Sequence, residues 1–108
     1  DNFDYDPKGS AKQFVPEAAD RLEKLAESFE CLDSFERDSL EHALDALANE
    51  LGIKRAALIH PARLAVSGMT MGPGLYDLLV TVGRERTIRR MRRAAEHIRT
   101  LKHDTVTD

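Results

Sequence analysis

Two groups of residues in this 108-residue chain have the types and spacing to hold a ligand. The first is a run of basic side chains near the C-terminal end: Arg84, Arg86, Arg89, Arg90, Arg92, Arg93, Arg99 and Lys102. Arg86, Arg90 and Arg93 fall at i, i+4 and i+7, which is one stripe of a helix. Guanidiniums at that spacing can track phosphates and supply salt-dependent, sequence-independent affinity. The competing expectation is that part of this set pairs with acidic residues of the same domain, at about 0–1 kcal/mol per exposed pair. The second group spans Arg63 to Tyr76. An arginine leads into Ser67-Gly68-Met69-Thr70-Met71-Gly72-Pro73-Gly74, and the chain returns through Leu75 and Tyr76. Glycines let backbone N–H and C=O groups approach a ligand closely. Unstacked RNA bases are read by such groups and stack on rings or on Arg planes. Here too a plainer expectation competes: an ordinary turn between helices, with Leu75 and Tyr76 in the core.

Other chemistry finds little support. His42, His60, His97 and His103 are scattered without metal-ligand spacing. Cys31 is the single cysteine, which excludes an intrachain disulfide. Its pairing with His42 as a nucleophile and base is a weak arrangement, because helical angle sets Cys31 nearly opposite the apolar stripe of its helix and only partly buried. Gly68, Gly72 and Gly74 follow no strand and precede no Gly-Lys-Ser/Thr, so neither nucleotide-binding loop fits. No catalytic residue, metal site or cofactor is expected in this chain.

The elements that must position these residues are helical. Val15 to Leu32 carries Leu22, Leu25, Ala26 and Phe29 at i, i+3, i+4 and i+7, with Pro16 at a favourable first position. Asp33 or Ser34 can cap the next helix, which Gly52 should stop. Phe35 lies at the corner between the two. From Ile53 to Val66 the pattern is helical with an interruption, and Pro61 should start a short helix because the residue before proline disfavours the α region. Leu75 to Val82 forms a short apolar helix ending at Gly83. The last helix runs from Glu85 to about Lys102, with Ile88, Met91, Ala95 and Ile98 inward. No segment alternates like a strand. The expectation is therefore an all-α fold, a small bundle or cage of about five to six helices. Residues 1–108 form a single domain, with a loose lead-in over 1–14 and a loose tail over 103–108.

Charge adds an asymmetry. The net charge is −3. Asp1 to Leu51 holds 5 basic and 14 acidic residues, and Gly52 to Asp108 holds 11 basic and 5 acidic. A split of −9 against +6 suggests one face suited to a polyanion. No apolar run approaches the roughly 20 residues of a membrane span. No signal peptide is recognisable, and the chain starts at Asp rather than Met. An excised piece of an intracellular, cytoplasmic protein is expected.

Four stretches in order carry a family resemblance. They are Leu51-Gly52-Ile53-Lys54; His60-Pro61-Ala62-Arg63-Leu64-Ala65-Val66-Ser67-Gly68; Gly72-Pro73-Gly74-Leu75-Tyr76-Asp77-Leu78-Leu79; and Gly83-Arg84-Glu85-Arg86. Their sequence and spacing resemble the C-terminal end of bacterial-type glutamyl-tRNA synthetases, which are class I aminoacyl-tRNA synthetases. Upstream, Asp33 to Leu51 resembles the family's Asp-Trp-rich corner and following helix, with Phe35 near the usual Trp, and Tyr5-Asp6 and the Pro16-Glu17 helix resemble the entry into the domain, so the likeness covers nearly the whole chain. The resemblance implies an all-α cage that binds the anticodon loop of glutamate tRNA. It places Arg63, Gly72, Pro73, Leu75 and Tyr76 on the first two anticodon bases, and leaves Arg86, Arg90 and Arg93 as phosphate-backbone candidates. Family members often carry Ser or Thr where this chain has Gly72, so a hydroxyl contact is lost and a backbone contact remains. The implied parent is a ligase that attaches glutamate to its tRNA with ATP and Mg. The class I signatures that carry this reaction are absent here, and so is the helical domain whose arginine checks the third base. Expected partners are the tRNA and the rest of the synthetase chain, with no membrane. Two other classes stay open from the residues themselves: a helix-turn-helix-like nucleic-acid-binding module with the arginine helix in a groove, and a helical protein-interaction domain.

Overall fold

The computed structural model describes residues 4–72 and 74–106, the last six by backbone alone. Six helices follow in order: α1 (Pro7–Gln13), α2 (Pro16–Glu30), α3 (Arg37–Leu51), α4 (Ala56–Ser67), α5 (Leu75–Val82) and α6 (Arg84–Val106). No strand occurs among the described residues, so the fold is all-α as expected.

The helix ends follow from local chemistry. Pro16 begins α2 at a position where its missing N–H costs nothing. Gly52 takes a left-handed conformation (φ 68°) and ends α3. The Ile53 amide then donates to Ala48 O at 3.0 Å and the Gly52 amide to Asn49 O at 3.2 Å. Together these satisfy carbonyls the helix would otherwise leave open.

Helices α2 and α6 pack along one another and form the spine. Ala18, Leu22, Leu25, Ala26 and Phe29 of α2 are buried, as are Ile88, Met91, Ala94, Ala95 and Ile98 of α6. Alanines on both faces let the helices lie close, while full burial of a Leu or Phe side chain contributes about 1.5–3 kcal/mol. The other helices close over this pair. Leu40, Leu44 and Leu47 of α3, Leu58, Leu64 and Val66 of α4, and Leu75 and Leu79 of α5 complete one continuous core.

Four expectations need correction. The lead-in 1–14 is not loose throughout: α1 occupies Pro7–Gln13, and Phe14 is buried. Asp6 accepts a hydrogen bond from the Gly9 amide at 2.7 Å, and Pro7 is the first helical residue. The start signal at Asp6-Pro7 and the burial of Phe14 hold this segment in place. Helix α3 starts at Arg37 without a side-chain cap, and Ser34 Oγ instead lies 3.1 Å from Ser39 Oγ. Phe35, between the two helices, is set edge-on to Phe29 at 6.2 Å between ring centroids. Pro61 lies inside α4, which starts five residues earlier at Ala56. The local bias against helix before a proline yields to burial of Leu58, Pro61, Ala62 and Ala65 on one side. The tail expected to be loose continues α6 to Val106, and residues 107–108 lie outside the described part.

Candidate nucleic-acid interface

Helix α4 carries Arg63 on its half-exposed side while Leu58, Ala62, Leu64, Ala65 and Val66 anchor the helix in the core. Its last turn is closed by Ser67. The hydroxyl donates to Arg63 O at 2.8 Å and accepts from the Met69 amide at 3.1 Å. That double contact bends the chain out of the helix and into the glycine loop. Gly72 then takes φ 152°, a conformation L side chains rarely adopt. A Cβ built on Gly72 would stand 3.7 Å from the Arg63 Nη1 atom. The backbone of Gly72 and the Arg63 guanidinium are therefore neighbours, nine residues apart in sequence. Pro73 lies outside the described residues.

Leu75 and Tyr76 sit differently from Arg63. The Leu75 side chain is buried in the core, and Tyr76 is half-buried with its hydroxyl enclosed. Burial raises the Tyr76 phenol above its ordinary 10.0, and the carboxylates of Asp45 and Glu41 on α3 raise it further. The phenol oxygen has no hydrogen-bond partner. A short apolar helix can be held only by burying its inward residues, and these two are where α5 begins. Their side chains thus anchor the turn, which is the plainer of the two sequence expectations.

The arginine helix divides its charges between two faces. On the side facing α2, Arg84 Nη1 donates to Leu32 O at 2.7 Å and lies over the Phe35 ring, 5.6 Å from its centroid. Arg92 pairs with Glu30 at 2.9 Å, and Arg99 with Asp20 at 3.2 Å and Glu23 at 3.3 Å. These three consume part of the charge asymmetry within the domain. Arg86, Arg90 and Arg93 lie roughly 160° further round the helix at 3.6 residues per turn. Arg86 is exposed. Arg90 Nη1 donates to Val66 O at 2.8 Å, and Arg93 stacks over the Tyr5 ring at 5.5 Å.

That second face meets the end of α4 from which the glycine loop departs. Val66 is in the last turn of α4, where unsatisfied carbonyls carry a partial negative charge, and Arg90 offsets it. The Asp6 amide donates to Gly68 O at 2.8 Å, one residue on from Tyr5. At Gly9 of α1 a Cβ would run into the Thr70 methyl. The start of α1 thus holds the loop at Gly68 and Thr70, and Arg90 of α6 holds the end of α4 from which that loop leaves. Arg63 and Gly72 lie together by this helix end and Arg90 reaches it, while Arg93 covers Tyr5 and Arg86 stands one turn from Arg90. Such a surface offers guanidinium groups and exposed backbone to an anion bearing flat polar rings.

The weak cysteine–histidine arrangement is not assembled. Cys31 is exposed, in a groove with Lys24, Ser28 and Glu50. His42 lines a separate groove with Asp38, Glu41 and Asp45. The support that α1 gives the loop lies in a segment expected to be loose. Its signal was present, since Asp6-Pro7 is a capping residue followed by a first-turn proline.

Comparison with known proteins bears on this surface. Residues 1–95 match the family described as the anticodon binding domain. The chain belongs to that family. This anticodon-binding domain is 44% identical over 95 residues to glutamate–tRNA ligase 1 of Caldanaerobacter subterraneus, covering 87% of this chain and 20% of that protein. It is 42% identical over 100 residues to the glutamate–tRNA ligase of Moorella thermoacetica, covering 92% of this chain and 20% of that protein. Among solved structures, a glutamate tRNA ligase from Elizabethkingia meningosepticum superposes with a TM-score of 0.85 at 31% identity, covering 90% of this chain and 19% of that one. The domain spans about a fifth of the length of the curated relatives it matches. Among the described residues, no helix is long and apolar enough to cross a membrane.

Proposed function

We propose that this chain is the tRNA-selecting domain of a glutamate–tRNA ligase and that it binds the anticodon loop of glutamate tRNA. Arg63 and the Gly72 backbone read the edges of anticodon bases, together with Pro73, the next residue in sequence. Leu75 and Tyr76 set where that turn stands. Arg86 reaches the phosphate backbone from an exposed position, and Arg90 and Arg93 add positive charge from anchored ones. Aminoacylation, with its ATP and Mg, belongs to a catalytic portion outside these residues, and the assembled enzyme works in the cytoplasm. The other partner is that remaining portion of the synthetase.

One observation carries the proposal: the Arg63 guanidinium stands beside the exposed backbone of Gly72, in a loop that is fastened to the start of α1 and leaves the end of α4 where Arg90 binds. A groove-binding helix would instead need its arginine stripe projecting outward along its length. Here Arg90 is drawn to the end of α4 and Arg93 onto a tyrosine ring.

The test is titration of the 108-residue chain with the glutamate tRNA anticodon stem-loop, and with the same stem carrying a scrambled anticodon, at two salt concentrations. The expected result is weak binding that falls with salt and is weaker for the scrambled loop. Arg63→Ala should remove the preference between the two loops. Equal affinity for duplex DNA would overturn the proposal.

A further inference from the structure

Three large apolar side chains stand exposed among the described residues: Met71 at 82%, Met69 at 58% and Val80 at 42%. Single exposed apolar residues are ordinary. Two within three positions of one held loop are a different arrangement. The Met69 amide and carbonyl both bond the Ser67 hydroxyl, at 3.1 and 3.3 Å. Gly68 O accepts from Asp6, and the Thr70 methyl meets α1 at Gly9. The loop is therefore fastened through Ser67, Gly68 and Thr70, while Met69 and Met71 extend into solvent on either side of Thr70. Gly72, the neighbour of the Arg63 guanidinium, follows directly.

The chemistry of the site lacks one component. A base presents polar edges and a flat apolar face. Arg63 and backbone groups suit the edges. No aromatic residue occurs between Ser67 and Gly72, and the Tyr76 hydroxyl is enclosed against α3. We infer that Met69 and Met71 form an apolar lip on which the face of one unstacked anticodon-loop base rests. Thioethers are suited to it, because the unbranched chain adapts its shape and the sulfur is polarisable against an aromatic ring. The lip also explains why the loop is fastened from behind: a held backbone loses little entropy when the side chains take up the base. This inference rests on the proposed RNA-binding role and extends it to two residues outside the Arg63–Gly72 pair.

Two measurements test it. Met69→Gln/Met71→Gln, altered only at exposed positions, should retain the wild-type melting temperature. It should bind the anticodon stem-loop roughly threefold to tenfold more weakly, given that base stacking on a side chain is worth about that or more. Met69→Leu/Met71→Leu should stay within about twofold of wild type, since the apolar surface is kept. Independently, dilute hydrogen peroxide transfers one oxygen to each accessible thioether, giving a sulfoxide and water. Bound stem-loop should slow this at Met69 and Met71 several-fold, as read by peptide mass spectrometry, while a loop-free RNA duplex should not. Unchanged affinity in the Gln variant together with unchanged oxidation rates would overturn the lip. If Arg63→Ala then still abolishes the loop preference, the proposed function stands without it. If the stem-loop does not bind the wild-type chain at all, both fall.

Discussion

Arg86 and Arg90 lie one turn apart on the same stripe, yet their substitution should have opposite consequences. Arg90 is half-buried and donates to Val66 O at 2.8 Å, across the junction of α6 with the end of α4. Replacing it with Met keeps much of the aliphatic stem and removes the charged donor. A hydrogen bond involving a charged group is worth about 1.5–3 kcal/mol. Partial exposure puts this one at the lower end. Loss of the cation at a helix C-terminus adds about 0.3–1 kcal/mol. The expected cost of Arg90→Met is therefore about 2 kcal/mol. For a domain near 100 residues that corresponds to a fall in Tm of roughly 10 °C. Arg86 is exposed, and Arg86→Met should leave Tm unchanged. In RNA titrations the order reverses in kind. Arg86→Met should weaken both anticodon loops alike and reduce the salt slope by about one, as loss of one phosphate contact does. Thermal unfolding followed by circular dichroism, paired with titrations at three salt concentrations, measures both effects. Equal Tm values for the two variants would refute the assignment of Arg90 to the α4 junction.

Gly9→Ala places a methyl group against Thr70. The helix gains about 1 kcal/mol from the better former, but overpacking costs about 1–3 kcal/mol, so stability should fall or stay level and amide exchange at residues 68–72 should quicken. A plain stabilisation would show that α1 does not brace the loop. Tyr76→Phe removes an enclosed hydroxyl with no hydrogen-bond partner, so stability should hold or rise by up to about 1 kcal/mol; a clear drop in Tm would contradict this. Burial raises the phenols of Tyr5 and Tyr76 above 10.0, so the unfolded chain ionises first and stability, complete below pH 10, should decline as pH rises beyond it. Tyr76→Phe should lessen that decline in alkaline unfolding curves. Arg84→Lys keeps the charge but loses the fork that reaches Leu32 O at 2.7 Å and covers Phe35, so unfolding should come at a Tm lower by several degrees.

Much of the architecture was legible because it follows from near neighbours in the chain. The stripes Leu22/Leu25/Phe29 and Ile88/Met91/Ala95/Ile98 are periodic, and the structure buries each of those residues. Gly52 and Gly83 end their helices because a residue there must take positive φ. The short helix Leu75–Val82 is bounded as expected by Gly74 and Gly83. Misreadings arose where a local preference met a larger tertiary term. A proline's bias at Pro61, worth little beside the burial of α4, did not set a helix start. A capping serine at Ser34 did not set one either: α3 begins at Arg37, and the Ser34 hydroxyl lies against that of Ser39.

The candidate site divides in the same way. Its residue types and their order are properties of the sequence: Arg63, the glycine loop and a helix rich in arginine. Which arginine does what was a matter for the tertiary structure. One-dimensional spacing placed Arg86, Arg90 and Arg93 on one stripe but could not say what faced it. Only packing brought Val66 O to Arg90 and Tyr5 to Arg93, and Glu30 and Asp20 to the other side of the helix. The net charge of −3 is a sum over residues, and it is insensitive to place. A ligand responds to charge at a position, and position comes from helices that are distant in the chain and adjacent in the fold.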